Sequence, residues 1–301
     1  MHDSGLAWVA NLTQAAADAP SAASVASDVA RALDEDLGSG DVTAQLVPVT
    51  QWAQGRVICR ETAVLCGRAW FDEVFRQLEP RVSVSWSHAD GNAIAADSVL
   101  CELSGPARAI LSGERSALNF LQTLSGTATA AHRYADAVKG TGCKILDTRK
   151  TLPGLRLAQK YATRCGGASN HRLGLYDMVL IKENHIVAAG SIETAIMTAR
   201  RNAPGIKVEV EVESVAEFAR ALSAQPDIIM LDELSEADMR ECVRRNAVAG
   251  RKVLLEASGS VSLENVGTIA ATGVDFISVG SITKHLRAVD LSMRLTFAGS
   301  H

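Results

Sequence analysis

The sequence predicts an α/β protein in which an N-terminal α+β domain precedes an α/β barrel of about six or seven parallel strands. Two observations support this prediction. Short helical and strand-like segments follow one another irregularly in the first part of the chain, whereas apolar runs and amphipathic helices alternate regularly after Lys139. Repeated strand–helix units are typical of parallel sheets, because each parallel connection needs a crossover. A doubly wound open sheet is the alternative arrangement of the same units.

The N-terminal domain is predicted to begin with a helix. Val25, Val29 and Leu33 recur at four-residue spacing, so they share one helix face. The apolar runs that follow predict strands at residues 56–65, 82–86 and 99–103 and a short helix at residues 70–78. Few strands, few helices and one covered sheet face are typical of an α+β layer.

The barrel is predicted from six strand-like runs and the helices between them. A long helical segment at residues 107–138, with a predicted break around Gly126, precedes these runs. We place the boundary within it, so that residues 1–127 form the N-terminal domain and residues 128–301 the barrel. The runs lie at residues 144–147, 178–181, 208–212, 228–231, 253–255 and 276–279. A seventh strand is predicted around residues 168–173.

Composition excludes several classes of protein. The 301 residues are 47% hydrophobic and 21% charged, which is an ordinary globular composition and excludes whole-chain disorder. The net charge of −4 and the 4% of aromatic residues argue against a nucleic acid as partner. Six cysteines without C-x-x-C spacing are expected to be reduced, and no uncharged stretch has membrane-spanning length. Because the first 20 residues also lack a signal-peptide pattern, we expect a cytoplasmic protein.

Polar or glycine residues follow almost every predicted strand of the barrel. In α/β barrels the carboxyl ends of the strands meet at one rim, where binding and catalysis take place. The residues at these strand ends include Thr148, Arg149, Lys150, Lys182, Glu211, Asp232, Ser258, Gly259, Ser260, Gly280 and Ser281. Loops are polar in any protein, but six such endings in register predict a functional site at this rim.

One side of this rim is predicted to be strongly cationic. Residues 144–185 contain eight basic and three acidic side chains, a net charge of +5 in a chain whose net charge is −4. This excess predicts an anionic ligand such as a phosphate or a di-acid. Arg149 and Arg172, the latter beside His171, suit bidentate carboxylate binding, which a lysine cannot reproduce.

Acidic and small residues complete the predicted rim. Glu211 and Asp232 follow neighbouring strands and are either structural partners of the basic residues or Mg²⁺ ligands. Small residues at Ser258-Gly259-Ser260 and Val279-Gly280-Ser281 allow backbone N–H groups to approach a phosphate, which barrels often bind after their last strands.

Three segments of the chain closely resemble the quinolinate phosphoribosyltransferase family. They are DTRKTLPG at residues 147–154, GGASNHRLGL at 166–175 and LIKENH at 180–185. Further similar segments lie at residues 35–43, 114–119, 209–213, 230–232 and 276–280. The resemblance spans about residues 30–295, and two positions depart from the family pattern: Glu233 stands where Asn is common, and Ser260 where Gly is frequent.

The resemblance implies an activity and an assembly. Quinolinate and phosphoribosyl pyrophosphate would give nicotinate mononucleotide, pyrophosphate and CO₂ in de novo NAD biosynthesis, with Mg²⁺ and without an organic cofactor. The enzyme would be a pentosyltransferase. Its fold would be an open-faced sandwich joined to a barrel, and Arg115 would enter the neighbouring site of a homodimer.

The resemblance also implies roles for single residues. The quinolinate carboxylates would be held by Arg149, His171, Arg172 and Lys182. Pyrophosphate and its Mg²⁺ would be served by Lys150, Glu211 and Asp232, with Glu211 and Asp232 as metal ligands, directly or through water. The 5′-phosphate would be held by Ser258, Gly259 and Gly280, and the expected substrate-binding set is completed by Thr148, Ser260, Val279 and Ser281. The expected catalytic residues are Lys150, Lys182, Glu211 and Asp232.

Three other interpretations are open at this point. One is a barrel lyase or aldolase that uses Lys182 or Lys150 as a Schiff-base nucleophile. Another is a non-catalytic sensor on the same scaffold, against which the presence of both acids and the whole basic set argues. The third is a sister transferase that uses another pyridine or a small anionic acceptor.

Overall fold

The computed structural model describes residues 20–297 of the chain. The first 19 residues, which belong to the segment expected not to be a signal peptide, lie outside the described residues. The chain divides into two compact units. One contains the residues up to His132 together with 151–167 and those from His285 onward, and the other contains 133–150 and 168–284. The division into residues 1–127 and 128–301 stays a prediction.

Helices and strands are numbered here in chain order. The helices are α1 (Ala22–Leu37), α2 (Arg68–Leu78), α3 (Ala107–Ala137), α4 (Arg156–Cys165), α5 (Glu183–Ala189), α6 (Ile192–Asn202), α7 (Val215–Ala224), α8 (Glu236–Val248), α9 (Val266–Ala270) and α10 (Ser281–Lys284). The strands are β1 (Trp52–Cys59), β2 (Ala63–Val64), β3 (Ser83–Trp86), β4 (Ala93–Ile94), β5 (Val99–Pro106), β6 (Lys144–Leu146), β7 (Val179–Ile181), β8 (Val208–Val212), β9 (Ile228–Asp232), β10 (Leu254–Ser258), β11 (Phe276–Ser278) and β12 (Leu291–Phe297).

The first unit is built on an antiparallel sheet with the strand order β12–β1–β5–β3. Residues of β1 alternate between exposed and buried, as expected of a strand with one face on a core. The core side is packed with residues of α1 and α2, including Trp70 and Phe71. Val25, Val29 and Leu33 are all buried, which confirms the predicted helix face.

The predicted break of the long helix at Gly126 is wrong, because α3 runs without interruption through this residue. A Cβ atom at Gly126 would lie 2.3 Å from the carbonyl oxygen of Arg287. Glycine is therefore needed at this position, because the helix approaches the chain before β12 closely. Glycine often interrupts a helix, but here it allows α3 to pack against that segment.

The second unit is a parallel sheet of six strands with the order β6–β11–β10–β9–β8–β7. The first of these strands in the chain pairs with the last, which is the circular order of a barrel and differs from that of a doubly wound sheet. The predicted seventh strand at residues 168–173 is reduced to one parallel bridge between Ser169 and Leu146. The predicted α/β class, with an α+β part followed by about six parallel strands, is confirmed.

Local sequence explains how the helices between these strands begin. Ser191, Ser214 and Ser235 precede α6, α7 and α8, and each hydroxyl accepts a hydrogen bond from a backbone N–H of the first turn. These caps satisfy donors that a helix start leaves without an intrahelical partner. Among the described residues, no helix combines the length and apolar character needed to cross a bilayer.

Candidate active site

A cleft of about 290 Å³ opens in the second unit where the parallel strands end. Nine residues predicted from the sequence line it: Thr148, Arg149, Lys150, His171, Arg172, Lys182, Glu211, Asp232 and Ser258. Four further residues line the cleft that were not predicted as site residues from the sequence: Leu180, Met230, Glu256 and Ser278. The rule that strand ends converge in a barrel therefore located the cleft correctly.

The loop after β6 is fixed by contacts with the end of β11. The backbone N–H of Lys150 donates to Thr148 Oγ1 at 3.1 Å, and Thr283 Oγ1 donates to the Lys150 carbonyl at 2.8 Å. A Cβ atom at Gly280 would lie 3.1 Å from Lys150 Cδ and 3.6 Å from Thr148 Oγ1. The absence of a side chain at Gly280 thus leaves space for Lys150 to reach the cleft.

Asp147, the residue after β6, orders the segment that contains His171 and Arg172. Its buried carboxylate accepts hydrogen bonds from the His171 backbone N–H at 2.9 Å and from Asn170 Nδ2 at 2.7 Å. The Asp147 backbone N–H donates to the Ser169 carbonyl at 3.1 Å. Asp147 is a positioning residue that the sequence analysis did not single out.

Arg172 is held beside a second guanidinium. Its Nη1 donates to the Met178 carbonyl at 3.2 Å, and Asp177 closes the intervening loop by accepting from the backbone N–H of Leu173. Burial lowers the pKa of Arg172, and the positive charge of Arg149 lowers it further. Two guanidinium groups that repel each other in one cleft favour a bound anion.

Elsewhere in the cleft lining, a cation and an acid are paired. Lys182 Nζ, which is part-exposed, forms an ion pair with Glu211 Oε2. His185 Nδ1 accepts from the Lys182 backbone N–H at 3.0 Å, so this histidine fixes the start of α5. The pair therefore brings an ammonium group and a carboxylate together in the cleft lining.

His171 lies above two buried glutamates. Its Nε2 is 3.0 Å from Glu209 Oε2 and 3.6 Å from Glu256 Oε2, and both glutamates are fully buried. Its Nδ1 accepts from the Arg172 backbone N–H at 2.8 Å, which places the ring proton on Nε2, where it points to the carboxylates. Nδ1 is therefore occupied within the protein, and Nε2 faces the two buried carboxyl groups.

The two buried carboxyl groups differ from ordinary glutamates in their protonation. Burial raises the pKa of Glu209 to about 7. Burial, with the nearby charge of Glu209, raises the pKa of Glu256 to about 8. Two carboxyl groups this close in a low-dielectric interior do not both ionise readily at neutral pH, so the pair retains a proton.

The acidic rim contains a set of oxygen donors that suits Mg²⁺. Carboxylate oxygens of Glu211, Glu213 and Asp232 lie within 4.8 Å of one another. Desolvation and the neighbouring carboxylates raise the pKa of Glu213, as expected where acids crowd together. Carboxylate oxygens are the ligands that Mg²⁺ prefers, so these residues fit the metal. Glu213 was not predicted as a site residue from the sequence. It follows β8 directly and is two residues after Glu211, so both side chains lie on one face.

The remaining predicted residues lie at the ends of β10 and β11 but do not line the cleft. Val279 has a buried side chain, and its backbone N–H donates to the Leu146 carbonyl at 2.8 Å. Ser281 Oγ is 3.0 Å from the Tyr134 hydroxyl, and Ser260 Oγ donates to Glu233 Oε1 at 3.0 Å. Gly259 has a φ of 124°, a conformation that favours glycine.

Arg115 belongs to the first unit, where it is exposed on α3. The residues that line the cleft all belong to the second unit. The predicted contribution of Arg115 to a neighbouring site stays a prediction.

Comparison with known proteins gives consistent matches over most of the chain. The family model for the quinolinate phosphoribosyl transferase N-terminal domain matches residues 41–125, and that for the C-terminal domain matches residues 127–294.

A nicotinate-nucleotide pyrophosphorylase [carboxylating] of Mycobacterium leprae is 41% identical over 273 residues, which cover 89% of this chain and 95% of the relative. A probable enzyme of the same name from Synechocystis is 40% identical over 264 residues, 87% of this chain and 90% of the relative. The solved structure of the nicotinate-nucleotide pyrophosphorylase from Francisella tularensis superposes with a TM-score of 0.89 at 43% identity and covers 93% of this chain and 99% of its own.

Proposed function

The chain belongs to the quinolinate phosphoribosyl transferase family, and we propose how the residues of its cleft perform the reaction of that family. The enzyme transfers the phosphoribosyl group of phosphoribosyl pyrophosphate to quinolinate with decarboxylation, in NAD biosynthesis. The products are nicotinate mononucleotide, pyrophosphate and CO₂. The observation that supports our assignment of residues is the cleft itself, whose lining combines the basic groups of Arg149, Lys150, Arg172 and Lys182 with the carboxylates of Glu211 and Asp232.

Quinolinate is assigned to the basic side of the cleft. Arg149 and Arg172 repel each other there, and a dianion between them would relieve this repulsion. Lys182 would supply a third positive charge by exchanging its partner Glu211 for a carboxylate of the substrate. His171 completes the assigned set. Its Nδ1 accepts from the Arg172 backbone N–H and its Nε2 faces Glu209, so this ring also holds the Arg172 backbone in place.

Phosphoribosyl pyrophosphate is assigned to the remaining rim. Glu211 and Asp232, with Glu213 beside them, would hold Mg²⁺, directly or through water. When bound, Mg²⁺ neutralises part of the charge that develops on the leaving pyrophosphate. Lys150 would bind the same pyrophosphate, since its side chain reaches the cleft past Gly280.

The sugar phosphate is assigned to the small residues at the ends of β10 and β11. Ser258, Gly259 and Gly280 would hold the 5′-phosphate. Neighbouring hydroxyl and backbone groups that can assist belong to Thr148, Ser260, Val279 and Ser281. Because the side chain of Val279 is buried, this residue can contribute only through its backbone.

The chemistry then depends on positioning and charge. As pyrophosphate departs, the ribose C1 acquires oxocarbenium character and is attacked by the pyridine nitrogen of quinolinate. The nitrogen becomes cationic, so it stabilises the carbanion left when the adjacent carboxylate departs as CO₂. This carbanion then takes up a proton from water to give nicotinate mononucleotide. Arg149, Arg172 and Lys182 orient the ring for attack, and no covalent enzyme intermediate is needed. Lys182 forms an ion pair with Glu211, whereas a Schiff-base nucleophile needs a neutral amine with a free lone pair, so the pairing opposes that role.

We propose a homodimer in which Arg115 enters the neighbouring site. The exposure of its side chain on α3 supports this proposal. We also propose a cytoplasmic location, which is supported by six free cysteines, five of them buried.

One assay tests the function, and one variant tests the assignment of residues. The purified protein is incubated with quinolinate, phosphoribosyl pyrophosphate and Mg²⁺, and CO₂ and nicotinate mononucleotide are measured, with nicotinate as the control acceptor. Arg172→Ala is expected to abolish turnover of quinolinate, whereas Arg240→Ala, which removes an exposed arginine of α8, leaves it unchanged. Equal rates for the Arg172 variant and the parent would reject the assigned role.

A further inference from the structure

The turn that follows β10 is covered by a carboxylate of the same chain. Ser260 Oγ donates to Glu233 Oε1 at 3.0 Å. A Cβ atom at Gly259 would lie 2.7 Å from Glu233 Oε2 and equally close to Glu233 Cδ. The carboxylate of Glu233 therefore lies directly against the Gly259 backbone, at the turn to which we assign the 5′-phosphate.

The backbone holds Glu233 at this turn. Its N–H donates to the Ser258 carbonyl at 3.0 Å, and the preceding residue, Asp232, is in register with Ser258 across the β9–β10 ladder. Glu233 has a φ of 52°, in the left-handed region that non-glycine residues rarely adopt. This strained conformation directs the side chain toward Gly259 and Ser260. The carboxylate is thus held there by the backbone hydrogen bond to Ser258, by the left-handed conformation of Glu233 and by the hydrogen bond from Ser260.

We infer that Glu233 occupies the phosphate-binding turn of the ligand-free enzyme and determines which anions can enter it. The inference rests on the proposed assignment of Ser258, Gly259 and Gly280 to the 5′-phosphate. A phosphate that binds this turn must displace the Glu233 carboxylate and take over the hydrogen bond from Ser260. Glu233 is thus a selectivity-determining residue at the sugar-phosphate end of the cleft.

Elementary electrostatics gives the direction and the size of the effect. A carboxylate and a phosphate both accept hydrogen bonds, and the single hydroxyl proton of Ser260 can serve only one of them. Two like charges about 4 Å apart at an exposed turn, screened as in bulk water, repel enough to weaken binding about three- to tenfold, and salt screens this repulsion further. Phosphoribosyl pyrophosphate has its pyrophosphate end as a second anchor and can overcome this cost, whereas inorganic phosphate cannot. Glu233 therefore weakens the binding of both anions, and it lowers the occupancy of the turn most for small free anions, which have no second anchor.

The test compares Glu233→Gln with a matched control, Glu236→Gln. The first change removes the charge at the turn and keeps the size of the side chain. The second removes the same charge three residues later, where Glu236 pairs with Arg240. Two quantities are measured at low ionic strength: the inhibition constant of inorganic phosphate against phosphoribosyl pyrophosphate, and the KM for phosphoribosyl pyrophosphate at saturating quinolinate.

We expect the inhibition constant of phosphate to fall about three- to tenfold in Glu233→Gln, with a fall of the KM in the same direction. The difference from the parent is expected to shrink as salt is added, which a merely structural effect would not do. Glu236→Gln is expected to match the parent. Glu233→Asn provides a second variant without the charge, and asparagine tolerates the left-handed conformation at this position.

Unchanged or weaker phosphate inhibition in folded variants at position 233 would overturn the inference, as would an effect of equal size in Glu236→Gln. Thermal unfolding of each variant shows whether it is folded. If the parent converts quinolinate and phosphoribosyl pyrophosphate, and substitution of Glu233 leaves the inhibition constant of phosphate unchanged, only the role of Glu233 is rejected. A parent that fails to turn over these substrates rejects the proposed function instead, so the two failures are distinguishable.

Discussion

The buried carboxyl pair beneath His171 makes the stability of the folded protein depend on pH, and Glu256→Gln tests this. Burial raises the pKa of Glu256 from 4.5 to about 8. Below pH 4.5 the group is protonated in both the folded and the unfolded chain, so it adds no pH-dependent penalty. As the pH rises toward 8, the unfolded chain ionises this group while the folded chain does not, and stability is lost. Above about pH 8 the penalty is constant.

The size of the penalty follows from the interval between the two pKa values. From 4.5 to about 8 is about 3.5 pH units, and each unit corresponds to about 1.4 kcal/mol. The full penalty is then about 5 kcal/mol, of which about 4 kcal/mol develops between pH 5 and pH 8. Glutamine has nearly the shape of a protonated glutamate but cannot ionise. Glu256→Gln is therefore expected to lose this part of the pH dependence while it remains close to the parent at pH 5.

The measurement is urea unfolding followed by circular dichroism at intervals from pH 5 to pH 8.5. The difference in unfolding free energy between Glu256→Gln and the parent should grow with pH by about 1 kcal/mol per unit or slightly more, in favour of the variant. Glu264→Gln is the control, because the pKa of this exposed carboxylate is lowered, and its titration lies below the range. Parallel pH profiles for Glu256→Gln and the parent would refute the reasoning.

Three further predictions concern the metal, the assembly and the core. Asp232→Asn removes one of the acids assigned to Mg²⁺, so the Mg²⁺ concentration for half-maximal activity should rise about tenfold or more in a titration of the rate. Mixing inactive Arg115→Ala and Lys182→Ala chains should restore about a quarter of the parental activity, because only hybrid dimers contain one intact site. Gly126→Ala places a Cβ atom 2.3 Å from the Arg287 carbonyl, so thermal unfolding should show a loss of about 2 kcal/mol.

Each of these predictions has a result that contradicts it. An unchanged Mg²⁺ requirement in Asp232→Asn would remove this residue from the metal site. Absence of recovery in mixtures with demonstrated subunit exchange would reject the shared site. An unfolding temperature of Gly126→Ala equal to that of the parent would show that α3 shifts without cost.

The fold was predictable where hydrophobic periodicity is strong and less so where pairing depends on distant residues. The six parallel strands were located from short apolar runs, since both faces of such strands are buried. The segment at 168–173 resembles a strand in composition, yet only Ser169 pairs with Leu146. No local pattern indicated that β12 pairs with β1, because that contact joins opposite ends of the chain.

The candidate site was predictable from the position of polar residues relative to strand ends, but its interior was not. Glu209 and Glu256 lie on β8 and β10, which are separated by β9. In a flat sheet such strands are about 10 Å apart, yet the side-chain oxygens lie within 4.8 Å of one another. The closing of the sheet and the length of the two glutamate side chains together bring them beneath His171. A sequence shows which residues follow a strand but not how strongly the sheet curves.

The pairing of β12 with β1 has a consequence for the synthesis of the protein. Ala53 pairs with Phe297 and Cys59 with Leu291, so the ribosome must make β12 before the first sheet is complete. Until then β1 exposes a free edge, which is a template for association with other nascent chains. All six parallel strands have been made by that time. A message truncated before Leu291 would therefore encode every residue of the cleft and still yield a chain prone to aggregate.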